Sequence, residues 1–229
     1  MATRRTYEDG CAAAHALDLV GERWALLVVR ELVLGPKRFT DLRAGLPGVS
    51  PNVLTQRLGE LEKVGVVQRR KLPPPAASRV YELTEWGAEL EGILIELGRW
   101  GARSPTKPGG DPLGVDSVVL SLRTMFDARA AEGFGATYEL RFGEDRFHAE
   151  VRDGSFTIER GRAENPDAAI ETDSNTLAAL VYRDHSLDTA LRAGETKVEG
   201  DKETVQRFLT LFTLPESSPQ FNREAQEPR

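Results

Sequence analysis

Asn52, Thr55 and Gln56 are short or flat side chains that both donate and accept hydrogen bonds, with Gly59 one turn on. On a helix they share one face. Asn and Gln match an adenine edge, and Thr contacts either a base edge or a thymine methyl. Arg57 beside them reaches a phosphate or a guanine. The same face also suits an ordinary solvated helix, so its surroundings decide. Lys37-Arg38 precedes it, and Arg69-Arg70-Lys71 and Arg79 follow. Phosphate contacts position a protein and base contacts specify its sequence; both kinds of residue are present. The chemistry implied is recognition of double-stranded DNA.

Nothing comparable points to catalysis. His15, His148 and His185 are scattered, none with a partner at metal-ligand or triad spacing. The single Cys11 excludes an intramolecular disulfide and a Cys-based zinc cage. Glu144-Asp145 falls in a predicted turn, and Gly133-Phe-Gly135 lacks the further glycines and preceding strand of a phosphate-cradling motif. The expectation is a protein that is not an enzyme, with no cofactor and no bound metal.

The elements that position the polar face follow from spacing. Asp18–Leu34 carries helix-spaced apolar residues, is interrupted at Gly21 and stops at Gly35-Pro36. Phe39–Leu46 is a second helical pattern. Ser50 and Pro51 suit the N-cap and first position of a third helix, whose Val53, Leu54, Leu58, Leu61 and Val64 face inward. Val66–Lys71 and Arg79–Leu83 read as a hairpin, and Thr84 caps a helix reaching Trp100. Helix, helix, helix, hairpin, helix is the order of a winged helix-turn-helix, in which the third helix enters the major groove.

The 229-residue chain carries a net charge of −6 at pH 7, unevenly distributed: +2 over residues 1–104 and −8 over 105–229. The acidic balance therefore sits in the second half, which is not expected to be a second DNA surface. No apolar run approaches the ~20 residues of a membrane span, and the N-terminus has no apolar stretch of a secretory signal; a cytoplasmic location without membrane contact is expected. The Pro- and Gly-rich stretch at 105–112 reads as a linker between a unit at 1–104 and one at 113–214, with a flexible tail at 215–229.

Residues 11–103 resemble the HxlR family of bacterial winged-helix regulators. The likeness rests on Gly21-Glu-Arg-Trp24 with Arg30-Glu31-Leu32, Gly35-Pro-Lys-Arg-Phe39, Leu46-Pro-Gly-Val-Ser50, Leu54-Thr-Gln-Arg-Leu58, Tyr81-Glu-Leu-Thr84 and Trp100-Gly101. The resemblance implies a homodimer joined through the first and last helices and bound to inverted repeats near promoters; the leading expectation is a repressor. It makes Leu17, Leu94, Leu97 and Trp100 candidates for the seam. Some members carry a sensing cysteine near the N-terminus, usually beside a proline. Here Cys11 is followed by three alanines, and a lone cysteine also suits a plain apolar role.

The second half reads as a small α+β unit. A helix is predicted over Asp116–Ala130, then alternating strands at Thr137–Phe142, Arg146–Arg152 and Ser155–Arg160, with an Asp153-Gly154 hairpin turn. A strand at Ala168–Thr172, helices at Thr176–Tyr182 and Ser186–Arg192, a strand at Lys197–Glu199 and a helix from Asp201 to Leu214 complete an expected antiparallel sheet with helices on one face. Asp167–Phe212 resembles the sterol carrier protein family, which implies an apolar tunnel. Phe147, Phe156, Leu180, Leu191, Phe208, Leu211 and Phe212 are then candidates to line a site for a small hydrophobic ligand, although any α+β core needs such residues. The alternative to a DNA-binding regulator is a lipid or small-molecule carrier whose winged unit serves dimerisation or protein interaction.

Overall fold

The Val53 N–H donates to the Ser50 hydroxyl at 3.3 Å and Pro51 takes the first helical position, so the third predicted helix starts at its cap. The computed structural model describes residues 6–74, 77–106 and 111–219. Its first unit runs α1 (Ala12–Val20), α2 (Ala25–Val33), α3 (Phe39–Gly45), α4 (Pro51–Lys63), β1 (Val67–Lys71), β2 (Arg79–Leu83), α5 (Glu85–Ala88) and α6 (Leu90–Ala102). The helix expected over Asp18–Leu34 is two helices, because the chain turns between Gly21 and Trp24 and Trp24 adopts a left-handed φ of 77°. The helix expected from Thr84 to Trp100 is likewise divided at Glu89. β1 and β2 pair antiparallel from Val67↔Leu83 to Lys71↔Arg79, and Lys37 adds a further rung through Lys37 N–H to Tyr81 O (2.9 Å) and Tyr81 N–H to Lys37 O (2.8 Å). The wing is thereby tied to the turn before α3.

The second unit contains α7 (Val115–Met125), β3 (Ala136–Phe142), β4 (Asp145–Arg152), β5 (Ser155–Arg160), β6 (Ala168–Thr172), α8 (Ser174–Tyr182), α9 (Leu187–Ala193), β7 (Thr196–Gly200) and α10 (Lys202–Leu209). The sheet order is β5-β4-β3-β6-β7, and β6 runs parallel to β3 rather than completing the antiparallel sheet expected. The segment after β5 returns along the sheet before β6 starts. Its Ala163 N–H donates to Glu139 and its Asp167 N–H to the Thr137 carbonyl (2.9 Å), so β6 enters in the direction of β3. One face of the sheet, including Tyr138, Leu140, Phe147, Ala149, Ile158 and Ile170, is buried. Two predicted helices end early for one reason. Asp127 N–H donates to Leu211 O (2.8 Å) and Thr213 N–H to Met125 O (3.0 Å), and this pairing draws both segments into extended backbone after α7 and α10.

The predicted linker is described at residues 105, 106, 111 and 112 and the predicted tail at 215–219; positions 107–110 and 220–229 lie outside the described residues. Part of the tail is anchored, since Ser218 N–H donates to Arg103 O at 2.8 Å.

The two units share their cores. Leu34 of the first packs in the second unit's core, and Leu120 of α7 in that of the first. α7 lies close on α6, where a Cβ at Gly98 would stand 3.3 Å from the Thr124 methyl. A chain of charges runs through the same boundary. Glu31, 1% exposed, accepts from Arg30 (2.8 Å) and Lys37 (2.6 Å); Lys37 also pairs with Asp116, which pairs with Arg160 at 2.6 Å. Arg123 of α7 adds a tie, bonding Glu91 of α6 and the Ile158 carbonyl of β5.

Removing one member of such a chain leaves its neighbours with fewer partners at a buried boundary. Asp116→Ala is expected to lower stability by about 3 kcal/mol, read as a drop in the urea midpoint. A second expectation concerns acid. In Asp201 the Thr204 hydroxyl and the Thr204 and Glu203 N–H groups hold the carboxyl below its ordinary value; in Asp173 burial opposes the same effect from Thr176 and Asn175 but loses to it. Both cap helices, so the stability they contribute is complete above the ordinary carboxylate value near pH 4 and is lost as pH falls through the lowered folded value. Asp201→Asn is expected to flatten the dependence of urea midpoint on pH below about pH 4; an unchanged slope would exclude the cap as its source.

Candidate nucleic-acid interface

The inward stripe of α4 is Leu54, Leu58 and Leu61, all buried, with Val53 half-buried. That packing turns Asn52, Thr55, Gln56 and Gly59 outward, and all four are exposed together with Ser50 and Pro51. The Gln56 amide is steered by Glu60, whose Oε1 accepts from Nε2 at 2.9 Å.

Arg57 does not join that face. At three residues from Leu54 and four from Leu61 it falls on the inward side, is 9% exposed, and pairs with Glu60 and, at 3.4 Å, with Glu22. It holds Glu60, and Glu60 holds Gln56. Glu22 and Glu60 escaped the sequence reading because carboxylates near a DNA face carry no signal until their pairing is seen. Lys37 is also withdrawn, its ammonium taken up by Glu31 and Asp116.

The other cations are accessible. Arg38 donates to the Ser78 hydroxyl at 3.0 Å. Arg69 and Arg70 are exposed but paired, with Glu62 at 2.7 Å and Glu82 at 2.8 Å. Lys71 and Arg79 face each other in the last rung of the hairpin, exposed and without ion-pair partners among the described residues. They are the wing cations whose charge is not already taken up by a carboxylate among the described residues.

Residues 19–107 match the family model described as HxlR-like helix-turn-helix. YvaP of Bacillus subtilis, an uncharacterized HTH-type transcriptional regulator, is 41% identical over 85 residues, covering 37% of this chain and 79% of that protein. The chain belongs to the HxlR-like helix-turn-helix family. The HTH-type transcriptional regulator YodB of B. subtilis is 38% identical over 85 residues, 37% of this chain and 76% of its own. The solved structure of reduced YodB is 34% identical and covers 44% of this chain and 100% of that one, with a TM-score of 0.38. Residues 114–222 match a second model, described as alkyl sulfatase C-terminal, which spans every element from α7 to α10.

In this HxlR-like chain the resemblance-derived seam residues divide. Leu94 is buried in the first core, whereas Leu17, Leu97 and Trp100 are 50%, 46% and 74% exposed. Ile93, not singled out in the sequence, is 55% exposed and completes a stripe with Leu97 and Trp100 at helical spacing. Cys11 is exposed at the start of α1, where the Ala14 and Ala13 N–H groups pull its thiol below the ordinary value. The seven residues expected to line a ligand site share one core. Phe147, Leu180, Phe208, Leu211 and Phe212 are buried, and Phe156 and Leu191 are half-buried. Phe208 and Phe212 pack ring to ring at 5.0 Å, and Phe156 and Phe212 at 5.2 Å; Phe126, which the sequence reading did not separate from its helix, stacks on Phe156 at 5.4 Å.

These placements separate the cations by role. Lys37→Ala is expected to lower the unfolding midpoint and leave the salt dependence of DNA binding unchanged. Lys71→Ala is expected to leave stability within about 0.5 kcal/mol and flatten the log–log salt slope by about 1. A flattened slope for Lys37→Ala in a folded protein would return that residue to the interface.

Proposed function

We propose that the protein is a homodimeric transcriptional repressor that binds inverted repeats in promoter DNA through α4 and the wing. The observation that carries the reading is the outward polar face of α4, fixed on its inner side by three buried leucines and flanked by the exposed cations of the hairpin. A protein-docking face would be more apolar. Asn52, Thr55 and Gln56 read base edges; Arg38, Arg69, Arg70, Lys71 and Arg79 hold phosphates, with Arg69 and Arg70 exchanging carboxylate for phosphate on binding. The protein acts in the cytoplasm.

The dimer is supported by the exposed stripe of Ile93, Leu97 and Trp100 on α6 together with Leu17 on α1. Burying these side chains against a second copy removes apolar surface from water at ~25 cal/mol per Å², and pairing two α4 helices matches a two-fold operator. In this reading the second unit carries a site for a small apolar effector, and control requires that the effector distinguish the DNA-competent state from the incompetent one.

The test is fluorescence anisotropy on fragments upstream of the protein's own and neighbouring genes, with scrambled competitor over a salt series. Preference for one fragment by roughly three orders of magnitude is expected. Gln56→Ala relaxes preference at one base position, whereas Arg70→Ala weakens cognate and scrambled DNA alike; equal losses on both DNAs for both variants would remove α4 as the reading helix. Leu97→Glu is expected to convert the dimer to monomer in sedimentation velocity and to cost at least about tenfold in operator affinity. A dimer that persists would place the seam elsewhere.

A further inference from the structure

A cleft of about 530 Å³ opens between α6, the end of α7 and the segment after α10, within the range of ~300–1,000 Å³ that small-molecule sites occupy. It lies apart from the α4 face. Met125 and Phe126 supply its apolar floor, Trp100 one wall, and Arg99 and Arg103 the polar rim.

The four charges at this rim, Glu96, Arg99, Arg103 and Asp127, sum to zero but are not paired off alike. Glu96 also borders the cleft but accepts from Arg99 Nη1 at 2.8 Å, and Arg99 Nε donates to the Thr124 carbonyl at 3.0 Å. Asp127 accepts from the Arg129 and Ala130 N–H groups at 2.9 and 3.4 Å. Glu96 is therefore neutralised by Arg99, whereas Asp127 keeps its charge and is held by backbone N–H groups. Arg103 is held by its backbone, whose carbonyl accepts from Ser218, while its guanidinium has no partner among the described residues. What remains is one guanidinium with no direct side-chain partner among the described residues, beside an indole that is 74% exposed and a half-buried phenyl ring. A guanidinium binds a carboxylate in a bidentate fork, and flat aromatic faces pair with a flat apolar body at little conformational cost.

We propose that this cleft binds a small aromatic carboxylate, with its carboxylate on Arg103 and its ring against Trp100 and Phe126. The site adjoins the packed phenylalanines of the second core through Phe126, which stacks on Phe156. Glu96, Arg99, Trp100 and Arg103 follow one helix face and Ile93, Leu97 and Trp100 the adjacent one, so Trp100 touches both the ligand and the apolar stripe.

Isothermal titration of the full chain with 2-naphthoate, and in parallel with the neutral 2-naphthamide, tests the assignment. Saturable binding of one naphthoate per chain is expected, about tenfold or more tighter than the amide, the weight of one charge-assisted hydrogen bond. Arg103→Gln reduces naphthoate to the affinity of the amide, Trp100→Ala weakens both ligands, and Arg79→Gln in the wing changes neither. All three side chains are exposed in the single chain, so the variants keep its fold, and sedimentation velocity separates loss of the seam from loss of the site in Trp100→Ala. No saturable binding through the millimolar range, equal affinity for acid and amide, or binding that survives Arg103→Gln overturns the proposal. Operator binding by the same preparation is a separate readout, so the two readings stand or fall independently.

Discussion

The Asp116 carboxylate, held between Lys37 of the winged unit and Arg160 of the sheet, fixes how the two halves of the chain meet. A nearly buried carboxylate is tolerable only with compensating cations in contact, and here they come from opposite sides of the boundary. Lys37 is also bound through its backbone to Tyr81 of the wing and through its ammonium to Glu31 of α2. One residue thus sets the wing, the second helix and the first helix of the following unit in a single arrangement. Without Asp116, Lys37 would still have Glu31, but the sheet would lose its electrostatic tie to the wing.

The distribution of charge gives that arrangement a purpose. The second half carries −8 and would repel a phosphate backbone, while the first carries +2. The shared surface runs through α2, α6, α7 and the Lys37 segment. The outward face of α4 and the cations of the hairpin are left uncovered. An acidic unit docked over α4 would set negative charge against the face proposed to read DNA.

Local signals in the sequence were faithful where the chemistry is local. Ser50 and Asp201 cap the helices predicted to start there, Thr84 caps the short α5 that opens its predicted helix, and Asp153-Gly154 makes its turn with positive φ at both residues. The exposed face of α4 was readable because the leucine stripe opposite it is strongly periodic. Lys37 and Arg57 were misplaced for different reasons. Arg57 sits on the inward stripe by helical geometry alone, and its polarity masked that. Lys37 pairs with a carboxylate 79 residues away, which no local pattern signals. The parallel entry of β6 was equally hidden: alternation marks a strand and its buried face but not its direction, which here depends on a return segment held by Glu139 and Thr137.

The exchange of Leu34 and Leu120 between the two cores bears on how such a chain could be rebuilt. Relatives that match the first unit along most of their own length correspond to little more than a third of this chain. That invites treating it as an interchangeable head. In this molecule the head is not portable as cut: severed after α6, it would keep a hollow where Leu120 sat and show Leu34 to water. A chimera carrying these recognition residues into another regulator would need a side chain to refill the first and a surface to receive the second.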